Sequence, residues 1–211
     1  MRVALISTLG FEEKFCYRAI LRHGIKEGDR IILFTAELVE KVEKAYDWIR
    51  KLVQSSYGDS VRVDLIQLDP MNPVRSIKVV LKYLDELKDF KIIVNLSGGM
   101  RAIVIYVLLA CMMRLREDMI IEVEAEDLSG LSKLDSNMLK LVKEGIKEEW
   151  IDLLECIAEG SGDVSSIARK LRKDKSTVRR QLSSLERSGL IRMKKRKPMT
   201  VELSELSELI L

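Results

Sequence analysis

The sequence has 211 residues, 47% hydrophobic and 33% charged, which suits a medium folded domain plus a small one and excludes a disordered or fibrous chain. Its net charge of +3, from 36 Lys and Arg against 33 Asp and Glu, gives no whole-chain argument for a polyanionic partner, and the longest apolar run, Ala102–Met113, is too short to span a bilayer. Three dispersed cysteines (Cys16, Cys111, Cys156), one histidine (His23) and no signal-peptide pattern argue against disulfide, zinc and His-triad chemistry and for a reducing cytoplasmic setting.

Residues 1–130 alternate short β-branched runs with longer helical patterns. Strands are predicted at Val3–Ser7, Arg30–Phe34, Val61–Gln67, Lys91–Asn95 and Met119–Ala125. Helices are predicted between them at Phe11–His23, Glu37–Ser55, Asn72–Leu87 and Met100–Arg114. This alternation implies right-handed βαβ crossovers and an α/β fold, a Rossmann-like mostly parallel sheet. The helix after Met100 is apolar enough to be a buried crossover. In the fifth strand Glu122, Glu124 and Glu126 alternate with Val123 and Ala125, the pattern of an edge strand with one wet acidic face; a magnesium site on those carboxylates is a second reading.

Residues 131–147 continue a leucine-bearing amphipathic pattern and are expected to form a connecting helix. Residues 148–211 then form a second, small domain. Gly160-Ser161-Gly162 lacks the third glycine of a nucleotide fingerprint and reads as a turn.

Charge separates the two halves. From Ser165 to Thr200 there are 13 Lys and Arg against two acids, a segment charge of +11 that leaves −8 on the rest of the chain. Such a block is an electrostatic footprint for phosphates. Ser165 is expected to cap a helix reaching about Arg172, and Ser176 to cap the next. That next helix places Val178, Leu182 and Leu185 on one face at i, i+4, i+7, and Gly189 is expected to end it. Leu190–Lys194 and Met199–Leu203 then pair as a hairpin with Lys195, Arg196 and Lys197 at its tip. Helix, helix, recognition helix and basic hairpin in this order resemble a winged helix-turn-helix. The resemblance implies a double-stranded DNA partner, with Ser176, Thr177, Arg179, Arg180, Gln181 and Ser184 facing the groove. Lys194, Lys195, Arg196 and Lys197 would lie over neighbouring phosphates.

In a doubly wound sheet with order 3-2-1-4, ligands bind beyond the carboxyl ends of strands one and four. The loops there are Ser7-Thr8-Leu9-Gly10-Phe11 and Asn95-Leu96-Ser97-Gly98-Gly99-Met100-Arg101. Gly98 and Gly99 permit close backbone approach, the following helix offers free N–H groups, and Arg101 offers a permanent cation. Together they form a candidate anion site.

The second loop resembles the signature that ends the fourth strand of CARF domains, the CRISPR-associated Rossmann-like sensors. There an Asp or Asn, a Ser or Thr two places on and a basic residue four places further recur, matched here by Asn95, Ser97 and Arg101. The Ser7–Phe11 loop is also similar to theirs. A CARF domain followed by a winged helix resembles archaeal CRISPR-associated transcriptional regulators. That resemblance implies a homodimer binding cyclic oligoadenylate, as the tetraadenylate, at residues Ser7, Thr8, Leu9, Gly10, Phe11, Asn95, Ser97, Gly98, Gly99, Met100 and Arg101. It implies control of CRISPR or cas promoters; no cofactor or metal is expected. Asn95 in place of Asp is expected to ease the approach of phosphate.

Two other functions compete. Ser97, Thr8 and Arg101 are residue types that suffice for a metal-free ring nuclease acting on its own ligand, although the dedicated DNA module argues for a non-enzymatic main output. A regulator answering to another nucleotide or small anion is the third reading. Finally, Arg18 and His23 match the R-x4-H ribonuclease motif of HEPN domains, but they fall in the first crossover helix, where His23 reads as a helix-end residue.

Overall fold

Runs of Val, Ile and Leu too short for helices become the strands of the first unit. In the computed structural model, which describes residues 1–211, the chain divides into Met1–Ser136 and Asn137–Leu211. The first unit contains β1 (Arg2–Thr8), α1 (Lys14–His23), β2 (Arg30–Thr35), α2 (Glu40–Tyr57), β3 (Arg62–Gln67), α3 (Pro73–Glu86), β4 (Phe90–Asn95), α4 (Arg101–Met113), β5 (Ile120–Glu124) and β6 (Leu131–Leu134). The strand order is β3-β2-β1-β4-β5-β6. All neighbours are parallel except β6, which runs antiparallel to β5. The reversal of strand order between β1 and β4 is the expected one, and every predicted strand and helix in residues 1–125 is present to within about three residues.

Core formation follows the alternation of the strands. Leu5, Ile31, Leu33 and Ile93 pack with Cys16, Ala19 and Ile20 of α1 and Val42, Ala45 and Ile49 of α2. Burial raises the Cys16 thiol to about 12, partly offset by the Ser7 side chain, and burial alone raises Cys111 to about 12. Both thiols stay protonated core groups.

Three expectations need correction. Residues 131–134 are a strand, not the start of a helix: a turn in which Ser129 N–H donates to Asp127 Oδ1 at 3.0 Å reverses the chain, and Leu131 and Leu134 pair with Glu124 and Ile121. The helix expected over 131–147 shrinks to α5 (Ser136–Glu144), which begins at the boundary of the second unit. β5 is therefore not an edge, and its acidic face is not wet. Glu122 is 0% exposed and Glu124 3%. Nor is α4 wholly buried. Ile103, Val107, Ala110 and Cys111 face the core, but Ile105, Leu109 and Met113 are 52%, 46% and 55% exposed, a stripe at i, i+4, i+8.

In the second unit come α6 (Glu148–Ala158), α7 (Val164–Lys170), α8 (Lys175–Arg187), β7 (Ile191–Arg196) and β8 (Met199–Leu203). Trp150, Leu153, Leu154, Ile167, Val178, Leu182, Leu185, Leu190 and Val201 form its core. The α8 face predicted from i, i+4, i+7 spacing is the buried face. Gly189 follows the helix with φ +76°, the left-handed turn expected of it. The helix caps differ from expectation. Asp163, not Ser165, caps α7, accepting from the Ser165 and Ser166 N–H groups at 2.9 and 3.0 Å. Asp174, not Ser176, is the N-cap of α8 and makes no side-chain cap bond, so Ser176 lies inside the first turn.

Candidate functional site

The register of the sheet lines up a buried polar row. Ser7 pairs with Asn95 across β1 and β4, and Asn95 pairs with Glu122 across β4 and β5. All three side chains are fully buried; Asn95 and Glu122 are satisfied from within, whereas Ser7 Oγ has no nitrogen or oxygen partner. Asn95 Nδ2 donates to the Phe15 carbonyl at 2.9 Å, while Oδ1 accepts from Ser97 N–H at 3.0 Å and from Ser97 Oγ at 2.5 Å. Ser97 Oγ in turn accepts the Glu124 N–H at 2.8 Å. Asn95 thus shapes the loop after β4 rather than facing a ligand, and its exchange for Asp bears on loop geometry before it bears on phosphate.

Above this row the loops after β1 and β4 touch. Thr8 Oγ1 donates to the Gly98 carbonyl at 2.5 Å. A Cβ on Gly10 would stand 3.0 Å from Gly99 N, and Gly99 itself has φ +88°, with its Cβ position 3.2 Å from Thr8 Cβ. Only glycine permits that contact and that backbone. The crevice expected between β1 and β4 is consequently bridged, leaving one cavity on each side. One, of about 350 Å³, is lined by Leu9, Gly10, Phe11, Thr35, Ala36, Glu37, Val39, Val42, Gly99 and Met100. The other, of about 390 Å³, is lined by Gly10, Phe11, Glu12, Lys14, Phe15, Ser97, Gly98, Gly99 and Glu126.

Among the predicted ligand residues, Gly10, Phe11, Ser97, Gly98, Gly99 and Met100 therefore line cavities, and Leu9 forms a buried floor. Ser7 and Thr8 are buried supports. Arg101 opens α4, exposed and without an ion-pair partner. Met100, the α4 N-cap, makes no side-chain cap bond, which leaves the first-turn N–H groups open to an anion. Sequence reasoning missed Thr35, Ala36 and Glu37, although β2 lies beside β1 in the predicted order and its carboxyl end must border the same crevice. It also missed Lys14, whose ammonium pairs with Glu12 at 2.7 Å.

The acidic face of β5 has its partners on α1. Arg22 reaches Glu122 at 2.6 Å and Glu124 at 2.8 Å, Arg18 reaches Glu124 at 2.5 Å, and His23 Nε2 lies 3.0 Å from Glu122 Oε2. Burial pushes the Glu122 carboxyl up, but the His23 hydrogen bond and charge, together with the Arg22 guanidinium, outweigh it and hold the group below the usual carboxylate value. These carboxylates are neutralised from within, which removes the magnesium reading. The R-x4-H pair is occupied by the same two glutamates and serves as a clasp between α1 and β5.

In the second unit the exposed face of α8 presents Ser176, Arg179 and Arg180, with Thr177 and Ser184 half-buried beside them. Lys195, Arg196 and Lys197 stand exposed on the hairpin, while Lys194 pairs with Glu202 at 2.8 Å. Gln181 departs from expectation. It is 6% exposed, and its Nε2 donates to Glu149 Oε2 at 2.9 Å, so it ties α8 to α6 and does not stand on the exposed face with Ser176, Arg179 and Arg180. Its position, three after Val178 and four before Leu185, marks it as a core-face residue.

A Rossmann-like crevice in one unit and a helix-turn-helix with a basic hairpin in the other define a sensor-and-regulator class of protein. Residues 3–135 match the model of the Csa3 CRISPR-associated Rossmann-like domain, and the chain belongs to that family. Residues 151–193 match the bacterial regulatory protein, arsR family. The chain is thus a CRISPR-associated regulator with an N-terminal CARF domain and a C-terminal helix-turn-helix. No curated protein matches it. Among solved structures it is similar to Enterococcus italicus Csm6 bound to cyclic hexa-2′-fluoro-hexa-dAMP, with TM-score 0.53 and 16% identity over 89% of this chain and 54% of that one. It is also similar to a type III CRISPR defence DNA nuclease activated by cyclic oligoadenylate, with TM-score 0.45 and 18% identity over 90% of this chain and 31% of that one. The chain spans about half the length of the first and a third of the second. No helix is long and apolar enough to cross a membrane.

Proposed function

We propose that the protein is a ligand-responsive transcription regulator. Its CARF crevice binds a cyclic oligoadenylate, the tetraadenylate ring, and the bound ring changes the affinity of the winged helix for double-stranded promoter DNA of CRISPR or cas genes. The observation that carries this reading is the unpaired Arg101 at an open helix N-terminus beside the Gly10–Gly99 contact, on a chain whose other unit bears the basic block. Phosphate charge fits that N-terminus and that cation. The Csm6 structure, which holds a cyclic oligonucleotide analogue, supports the ligand class.

The protein acts as a homodimer in this reading. The Ile105, Leu109 and Met113 stripe is a second-copy surface on α4, the helix that opens at the site, and paired half-sites on DNA match a twofold protein. The main output in this reading is not enzymatic, because the dedicated basic DNA-binding unit supplies the response; Thr8 Oγ1 and Ser97 Oγ are engaged with Gly98 and Asn95 and hold the loops in place.

Calorimetric titration of the full chain with cyclic tetraadenylate, followed by chromatography of the recovered ligand, tests this. The expected result is saturable binding, weakened in Arg101→Ala, with the ring recovered intact. Absence of binding removes the sensor reading, and linear products replace it with the ring nuclease.

A further inference from the structure

The two cavities beside the Gly10–Gly99 contact differ in chemistry. The one toward β5 carries Lys14, Glu12 and Glu126. The one toward β2 is walled by Leu9, Ala36, Val39 and Val42, with the exposed Phe11 and Met100 at its mouth. Glu37 is its single charged lining residue. Lys41 Nζ sits over the Phe11 ring, 5.5 Å from its centroid, so a cation steadies the aromatic that borders the slot.

An apolar slot bordered by an aromatic ring receives a flat heterocycle by desolvation and stacking. A phosphate there would face the Glu37 carboxylate, and the cation at the border of the slot, Lys41, is engaged over the Phe11 ring. The phosphates therefore belong at the α4 N-terminus and Arg101, and a base belongs in the slot. An ionised carboxylate has only acceptors, so it pairs with an N–H donor on the edge of the base. We propose that Glu37 is the base-reading residue of the site, accepting a hydrogen bond from the exocyclic amino group of an aminopurine. This deepens the oligoadenylate reading and rests on it.

The experiment compares two synthetic rings by calorimetry at matched salt. One is cyclic tetraadenylate; the other carries unsubstituted purine in place of each adenine and so lacks the amino donor without gaining a new one. The native full chain is expected to bind the adenine ring about tenfold or more tightly, the value of a charge-assisted hydrogen bond at a part-open site. Glu37→Ala is expected to bind the two rings within about twofold of each other, whatever happens to absolute affinity when a negative charge leaves the site. Glu37→Gln, which keeps an acceptor but loses the charge, is expected to fall between them. Equal binding of both rings by the native chain overturns the role of Glu37 and leaves the oligoadenylate reading standing, as does full discrimination retained in Glu37→Ala. A native chain that binds neither ring overturns both.

Discussion

The Ser97 hydroxyl accepts the Glu124 backbone N–H at 2.8 Å, joining the loop after β4 to the end of β5. Because the same hydroxyl donates to Asn95, Ser97 is a structural joint as much as a lining group. Ser97→Ala is expected to cost about 1 kcal/mol of stability, leave a buried N–H unpaired and weaken oligoadenylate binding. Arg101→Ala is expected to weaken binding by about 1–3 kcal/mol with unchanged Tm, since Arg101 is exposed and supports nothing. Thermal melts beside calorimetry on both variants check the contrast.

The α1–β5 clasp makes a pH prediction. Glu122 titrates below its ordinary value near 4.5 in the folded chain. The stability it contributes is thus fully present above that value and is lost as pH falls through the lowered one. Melts between about pH 7 and about pH 3 should show a steep loss at the acid end, shallower in Glu122→Gln.

Removing the central cation of the same clasp should be severe. Arg22→Met leaves Glu122 and Glu124 buried with reduced counter-charge, an expected loss of about 3 kcal/mol or more in chemical denaturation. A loss under about 1 kcal/mol contradicts the burial of the pair.

In the second unit, Gln181→Ala is expected to lower stability through the lost bond to Glu149 while the folded variant retains its preference for operator DNA. Arg180→Ala is expected to cost about 1–3 kcal/mol on operator and much less on scrambled duplex. Lys195→Ala should weaken both duplexes alike and reduce the salt slope by about one. Anisotropy titrations at about 50 and 200 mM salt separate the three behaviours.

Much of this was legible in the residue pattern. Short β-branched runs and Gly-bearing strand ends located the parallel strands and the two loops, because buried parallel strands are continuously apolar and a close approach of two loop backbones needs glycine. The α8 core face was legible from its spacing alone. What escaped depends on contacts across the fold. Glu122 and Glu124 read as a wet edge because their cations stand about a hundred residues earlier in the chain, on α1. β6 has four residues with two leucines three apart, which a helix also provides. Asn95 looked like a ligand group, yet the Phe15 carbonyl on α1 and Ser97 two places on take up its amide.

The central claim is that ligand and DNA affinities are coupled, and coupling is a measurable free energy. The direct measurement is fluorescence anisotropy of a labelled promoter duplex from the CRISPR or cas genes, titrated with the full chain with and without saturating cyclic tetraadenylate. The account predicts a shift in Kd of about fivefold or more, abolished in Arg101→Ala. Superimposable curves with and without a ring that calorimetry shows to be bound would contradict it.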